Sequence, residues 1–169
     1  MAKPLVFMMG RSPAFLPVDR CYAKNHMWAL REGAGWRCGL TAFAVRLLGD
    51  VRAVGWSVEP PVRLKAHAAI GYIEASKAAS ELFTPAAGMV ETFNASLAAT
   101  PSLVNTRLYD EGWLLTISDV HQPLLSPEAY LALVEAAWPL AQRMLKGQAS
   151  QGAQASQSST TSHGSTTSQ

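Results

Sequence analysis

The chain has 169 residues, 49% of them hydrophobic, and a formal net charge of +2. That length can bury one real core and predicts a single compact domain. Nine Arg and five Lys stand against twelve acids, a balance too even for a nucleic-acid-binding footprint. Ten basic and four acidic residues lie up to position 73, and four basic and eight acidic ones after it. At moderate ionic strength this asymmetry is mild.

Residues 1–14 mix apolar residues with Pro4, Gly10 and Pro13 and follow neither a helical nor a strand period, which predicts a loose N-terminal extension. Their apolar run, residues 5–9, is too short for a secretory signal or a membrane span. The expectation is a soluble, cytoplasmic protein that contacts neither membrane nor nucleic acid. A folded domain is expected over residues 15–146. Short apolar runs broken by Gly and Pro predict a mainly β domain with minor α content, with strands at 51–58, 69–75, 88–93 and 113–118. Thr41 is placed to cap a short helix carrying Phe43 and Leu47 on one face and stopping at Gly49. A second short helix is expected after Asn94, ending before Pro101.

The longest helix is predicted to begin at Ser126, with Pro127 at its first position and Glu128 in its first turn. Leu131, Val134 and Trp138 form its apolar stripe, and Pro139 should kink or break it. Residues 147–169, rich in Ser, Thr and Gln, read as a disordered tail. Cys21 and Cys38 form no CxxC pair and read as small packing residues in a reducing compartment. His26, His67, His121 and His163 show no ligand spacing, so no metal site is expected. Trp28, Trp56 and Trp113 read as packing residues, Gly71 as a close backbone approach and Gly88 as a turn.

The chemistry concentrates in residues 71–88, GYIEASKAASELFTPAAG. Two strand-like runs, 71–75 and 79–83, flank Ser76-Lys77 at hairpin distance, which sets Lys77 at the tip. Its neighbours Ala75, Ser76, Ala78 and Ala79 are all small, so nothing bulky obstructs an enzyme that encloses the lysine. No other lysine of the five in this chain has such a setting. Acylation there would remove one positive charge and leave a neutral amide. By general statistics Ser-Lys is a poor two-residue turn, and a turn lysine is more often an ordinary solvated charge. The residues alone leave both readings open.

Five blocks in register resemble the glycine cleavage H-protein family. Residues 74–81, EASKAASE, with TPAAG at 84–88, resemble its lipoylation segment. LPVDRCYAKNHMW at 16–28 is similar to its opening Tyr-x-x-x-His-x-Trp strand, and CGLTAFAVRLLGDV at 38–51 to its Gly-Ile-Thr-Asp element. NASLAATPSLVN at 94–105 resembles its Asn…Pro-x-Leu-Val-Asn block, and EGWLLTI at 111–117 its Gly-Trp strand.

The resemblance implies a barrel-sandwich hybrid fold with a C-terminal helix, and a non-catalytic carrier with no catalytic residue of its own. It further implies lipoate held covalently on Lys77, with Glu74, Ser76 and Ala78 as flanking recognition residues. The implied partners are glycine decarboxylase, aminomethyltransferase, dihydrolipoyl dehydrogenase and a lipoate ligase or lipoyl/octanoyl transferase. Departures bear on the load the arm would carry. Met27 and Ala42 stand where the family usually has Glu and Asp, and Glu81 replaces an Asp. Loss of those acids weakens the shelter for a cationic aminomethyl group. Two alternatives therefore stand beside a glycine cleavage carrier: an H-like lipoyl carrier serving lipoate relay or a redox or modification pathway, and an interaction module without lipoate. A biotin carrier is disfavoured because that family prefers Met on both sides of its lysine.

Overall fold

A computed structural model describes residues 2–158, with side chains through residue 147. The chain divides into two compact units, Met1–Ala136 and Ala137–Gln169. Three antiparallel sheets build the first unit. A six-stranded sheet runs in the order β3 (Cys21–Tyr22), β4 (Met27–Glu32), β5 (Gly35–Leu40), β11 (Leu115–Ser118), β10 (Gly88–Phe93) and β7 (Val62–Leu64). A three-stranded sheet orders β6 (Val51–Trp56), β8 (Ala69–Ala75) and β9 (Ala79–Phe83). Between these two sheets lies one apolar cluster to which both contribute, including Met27, Cys38, Leu40, Ile70, Ile73, Leu82, Val90, Leu115 and Ile117. In β8, Ile70, Gly71 and Ile73 are buried and Tyr72 and Glu74 exposed, strict alternation being interrupted by a register shift against β9 between Ala69 and Gly71. This is the barrel-sandwich architecture expected from the resemblance, mainly β with short helices and a C-terminal helix.

The strands foreseen at 69–75 and 88–93 are present as β8 and β10, and those at 51–58 and 113–118 are trimmed to β6 and β11. The short helix α1 (Ala42–Leu48) begins on Thr41, whose side chain accepts from Ala44 N, and ends at Gly49 with φ +86°. Two more short helices follow, α2 (Ser96–Ala99) and α3 (Leu103–Thr106). The first matches the helix expected before Pro101. The second was not foreseen, because its four residues carry no periodic signal.

Three regions differ from the sequence expectations. Residues 5–16 form a hairpin of β1 (Leu5–Met9) and β2 (Ser12–Leu16) where a loose extension was expected. Gly10, at φ +64°, opens a two-residue turn, and Phe7, Met9, Ala14 and Leu16 are buried on one face. The period-2 signal escapes a scan for alternating polarity because Val6, Met8 and Phe15, on the exposed face, are apolar too. The C-terminal helix α4 (Pro127–Ser158) contains Pro139, so of the kink or break expected there the break does not occur. One missing N–H and its local clash are compatible with helix on both sides of a proline. It also extends into residues assigned to the tail, of which 159–169, His163 included, lie outside the described residues. Finally, Gly88 is the first residue of β10 and not a turn: a Cβ there would lie 2.6 Å from Ser118 O on β11. Gly71 is the close approach expected, since its Cβ would strike Gly55 O across β6 and β8.

The packing role expected of the tryptophans holds. Trp28 is fully buried and donates to Leu108 O, Trp56 stacks on Phe93 at 3.9 Å, and Arg37 covers Trp113. Both cysteines are free. Among the described residues no group of acids, histidines and cysteines is placed to hold a metal ion. Nor is any helix there long and apolar enough to cross a membrane.

A buried polar chain ties α4 to the start of α1. His26, in the left-handed region at φ +69°, brings Nδ1 to 2.9 Å from the Tyr130 hydroxyl, which lies 2.7 Å from Thr41 Oγ1. Burial holds the His26 imidazole below the usual histidine range. Below pH about 6.5 the unfolded chain therefore binds a proton that the folded chain refuses, and stability falls with pH. The lowered pKa values of Asp19, Asp110 and Asp119 act in a separate window, below the ordinary carboxylate value of 3.8. The urea midpoint should drop between pH 7 and pH 5 in the wild type. It should drop less in His26→Asn, a side chain that tolerates the same backbone. Equal slopes in the two proteins would show that His26 is not the titrating group.

Candidate functional site

Lys77 stands exposed at the tip between β8 and β9, in the register the sequence predicts: Glu74 pairs with Ala79, and Ala75 N donates to Ala78 O at 3.0 Å. Neither Ser76 nor Lys77 has the positive φ that the favoured two-residue hairpin turns require. Tertiary bonds hold the tip in place of turn chemistry. Lys77 N donates to Leu48 O at 2.9 Å, and Ser76 N to Asp50 O at 2.9 Å. In return, Asp50 N donates to Ser76 Oγ at 2.9 Å. The tip is thus stitched strand-fashion to the loop that leaves α1.

Two residues make that stitch possible. Gly49 lies against the tip: a Cβ there would collide with Ser76 Oγ and come within 3.0 Å of Lys77 Cγ, on a backbone already at φ +86°. Asn105, in α3, fixes the same loop from the other side, donating from Nδ2 to Gly49 O at 2.9 Å and accepting at Oδ1 from Val51 N at 2.8 Å. The Lys77 ammonium reaches back to Arg46 O at 3.2 Å, on the last turn of α1. Backbone carbonyls at a helix C-terminus carry the negative end of its dipole and favour a cation there.

These residues enclose a cleft of about 310 Å³, lined by Ala42, Val45, Arg46, Gly49, Asp50, Ser76, Lys77, Asn105 and Leu108. Asp50 is the one acid among those lining residues. Of the two positions where acids of the family are missing, Ala42 lines the cleft, whereas Met27 is buried in the core between the sheets. Of the flanking residues singled out in the sequence, Glu74 projects into solvent on β8, Ser76 spends its hydroxyl on Asp50 N, and Ala78 closes the hairpin through its carbonyl. Sequence reasoning missed Arg46, Gly49, Asp50 and Asn105 as neighbours of the lysine. The LGD and LVN stretches that contain three of them were noticed as blocks, but nothing in their spacing says that they converge.

The fold is thus a mainly β barrel-sandwich domain with an exposed lysine at a hairpin tip, small neighbours and an adjoining cleft. Comparison with known proteins narrows this. The family profile described as Glycine cleavage H-protein matches residues 20–137. The chain is 40% identical over 125 residues to the glycine cleavage system H protein of Anaeromyxobacter sp. (strain K), covering 71% of this chain and 96% of that one. It is 40% identical over 123 residues to that of Rubrobacter xylanophilus, covering 72% and 97%. The crystal structure of a glycine cleavage system H protein from Mycobacterium marinum is similar with a TM-score of 0.61 and 30% identity, covering 69% of this chain and 97% of that one. The chain belongs to the glycine cleavage H-protein family.

Gly49→Ala tests the docking of the tip. Backbone strain and the collision with Ser76 together should cost about 2 kcal/mol in urea unfolding, with faster amide exchange at Ser76 and Lys77. A variant within about 0.5 kcal/mol of wild type, the range of an ordinary surface change, would show that Gly49 is not pressed against the lysine hairpin.

Proposed function

We propose that Lys77 is the residue through which this chain, a lipoyl carrier of the glycine cleavage system by its family, holds its cofactor. The carrying observation is the Ser76–Lys77 tip itself: exposed, with only small residues beside the lysine, and fixed by backbone bonds to Leu48 and Asp50. A lysine that swung freely would present no fixed base. One buried in the sheet would be closed to a modifying enzyme.

The surroundings suit a covalent lipoyl group. In the loading step the Lys77 amine would attack an activated lipoyl carbonyl, a thioester or acyl phosphoanhydride supplied by the loading enzyme, forming the amide as the thiol or phosphate group leaves and the nitrogen gives up its proton. Ala75, Ala78 and Ala79 leave the lysine stem open on the hairpin side, and the adjoining cleft gives a long chain somewhere to lie. When bound, lipoate supplies a dithiolane able to take up a carbon unit and a pair of electrons. The protein's part is placement. The stitched tip fixes the base of the arm, so that its far end reaches successive enzymes at high effective concentration. On this reading the partners are glycine decarboxylase, aminomethyltransferase and dihydrolipoyl dehydrogenase, with a lipoate ligase or lipoyl/octanoyl transferase for loading, all acting in the cytoplasm. Glu74, exposed three residues before the lysine, is the flanking side chain best placed for recognition by the loading enzyme.

Ala42 in the cleft wall supports a second reading, in which the arm serves lipoate relay or a redox pathway and carries no aminomethyl group. Intact-mass analysis of the chain from its native host tests the attachment. The wild type should be heavier by one lipoyl unit, and Lys77→Arg should be unmodified. A wild-type chain that stays bare in cells with a working lipoylation pathway would overturn the assignment. For the lipoylated chain, glycine-dependent reduction of the arm by glycine decarboxylase supports the glycine cleavage reading, and its absence supports the second.

A further inference from the structure

The β1–β2 hairpin precedes residue 20, where the match to the family profile begins. Nothing in the family assignment therefore accounts for it. Its inner face is buried, and three of its contacts converge on α1 or on groups bonded to α1. The Phe7 ring packs against the ring of Phe43, with centroids 6.1 Å apart. Arg46 Nη1 donates to Ser12 O at 3.0 Å. The Tyr109 hydroxyl donates to Phe15 O at 2.5 Å and accepts from Ala42 N at 3.0 Å, joining β2 to the first N–H of the helix.

The helix so gripped is the wall of the lysine cleft. Its seven residues, Ala42–Leu48, form about two turns, too few to hold a helix without tertiary support. Its end carries the carbonyls that receive Lys77: Arg46 O for the ammonium and Leu48 O for the backbone N–H. Ala42 and Arg46, one bonded to β2 through Tyr109 and the other directly, both line the cleft. A shift of α1 therefore moves the wall and the lysine anchor together.

We propose that the residue 5–16 hairpin is a positioning element for the lysine site. Through Phe7 on Phe43, Ser12 O on Arg46 and Phe15 O on Tyr109, it holds α1 at the place where its C-terminal carbonyls meet the Lys77 tip. The Arg46–Ser12 bond also restrains the guanidinium of a cleft-lining residue, which fixes where that positive charge stands relative to the load. Tyr109 and Phe7 act through α1 and touch no substrate. The kinetic part of this proposal rests on Lys77 bearing the arm, and the structural part does not.

The test uses the full chain with Tyr109→Phe, which deletes the hydroxyl joining Phe15 O to Ala42 N, and Phe7→Ala, which removes the ring from Phe43. Val6→Ser on the exposed face of the hairpin serves as control. In unmodified protein, amide exchange at Ser76 and Lys77 should quicken by about tenfold in both variants, as for opening of a local unit. Amides of β5 and β11 in the core should keep wild-type protection, and the control should match wild type throughout. In lipoylated protein assayed with glycine decarboxylase, KM for the carrier should rise several-fold while kcat is kept. Unchanged exchange at Ser76 and Lys77 would overturn the proposal. So would a loss shared equally by β5 and β11, since that marks general destabilisation. The exchange measurement needs no lipoate, so it stands even if the mass analysis finds Lys77 bare.

Discussion

The site depends on one set of contacts: the backbone bonds between the Ser76–Lys77 tip and the loop leaving α1. Leu48 O and Asp50 O accept from the two tip amides while Ser76 Oγ accepts from Asp50 N. A Ser-Lys tip without positive φ is poorly specified by its own sequence. The tip is held because a neighbouring segment offers acceptors and a donor in the right order, and that segment approaches closely enough only because position 49 has no side chain. Each such bond contributes about 1 kcal/mol net. Their combined effect is geometric, since they give a side chain that must be accessible a base that does not wander.

Rigidity around that base is built in successive supports. Asn105 pins Gly49 and Val51 from α3. Thr41 and Tyr130 anchor the beginning of α1 from α4, and Tyr109 bonds its first N–H. The remaining support comes from Phe7 and Ser12 of the N-terminal hairpin. The two-sheet core beneath holds β8 and β9 in register, with Gly71 allowing β6 to pass close. On the proposed carrier role at Lys77, this structure answers to access and placement. Ser76 and Asn105 spend their side-chain polar groups on the loop leaving α1, while Lys77 and Glu74 are exposed.

On the proposed attachment at Lys77, the cleft's chemistry bears on the load. Its lining residues include one acid, Asp50, together with Arg46 and Lys77. Acylation would neutralise Lys77 and leave Asp50 and Arg46 as the charged residues of the lining. Ala42 adds no charge, and Met27 lies in the core and cannot contribute one. A cation sheltered there would rely on Asp50 and on the carbonyls at the end of α1.

The lysine hairpin and most of the strand pattern around it are legible in the residues alone. Short strand-like runs in residues 69–83, small residues about Lys77, and Thr41 and Gly49 bounding α1 are local signals, fixed by residue type, capping and backbone freedom. Ordered blocks resembling a known family gave the sheet arrangement that alternation cannot supply. Tertiary structure alone decided that Gly49, Asp50 and Asn105 converge on Lys77, because contacts between residues 26 to 56 positions apart leave no trace in local periodicity. It also decided that residues 5–16 form a hairpin, since their outward side chains are as apolar as their inward ones and the burial that separates them exists only once α1 is in place. Gly88 shows the same limit: from sequence a glycine after Pro and Ala reads as a turn, and the close pass of β11 that requires it appears only in the folded sheet.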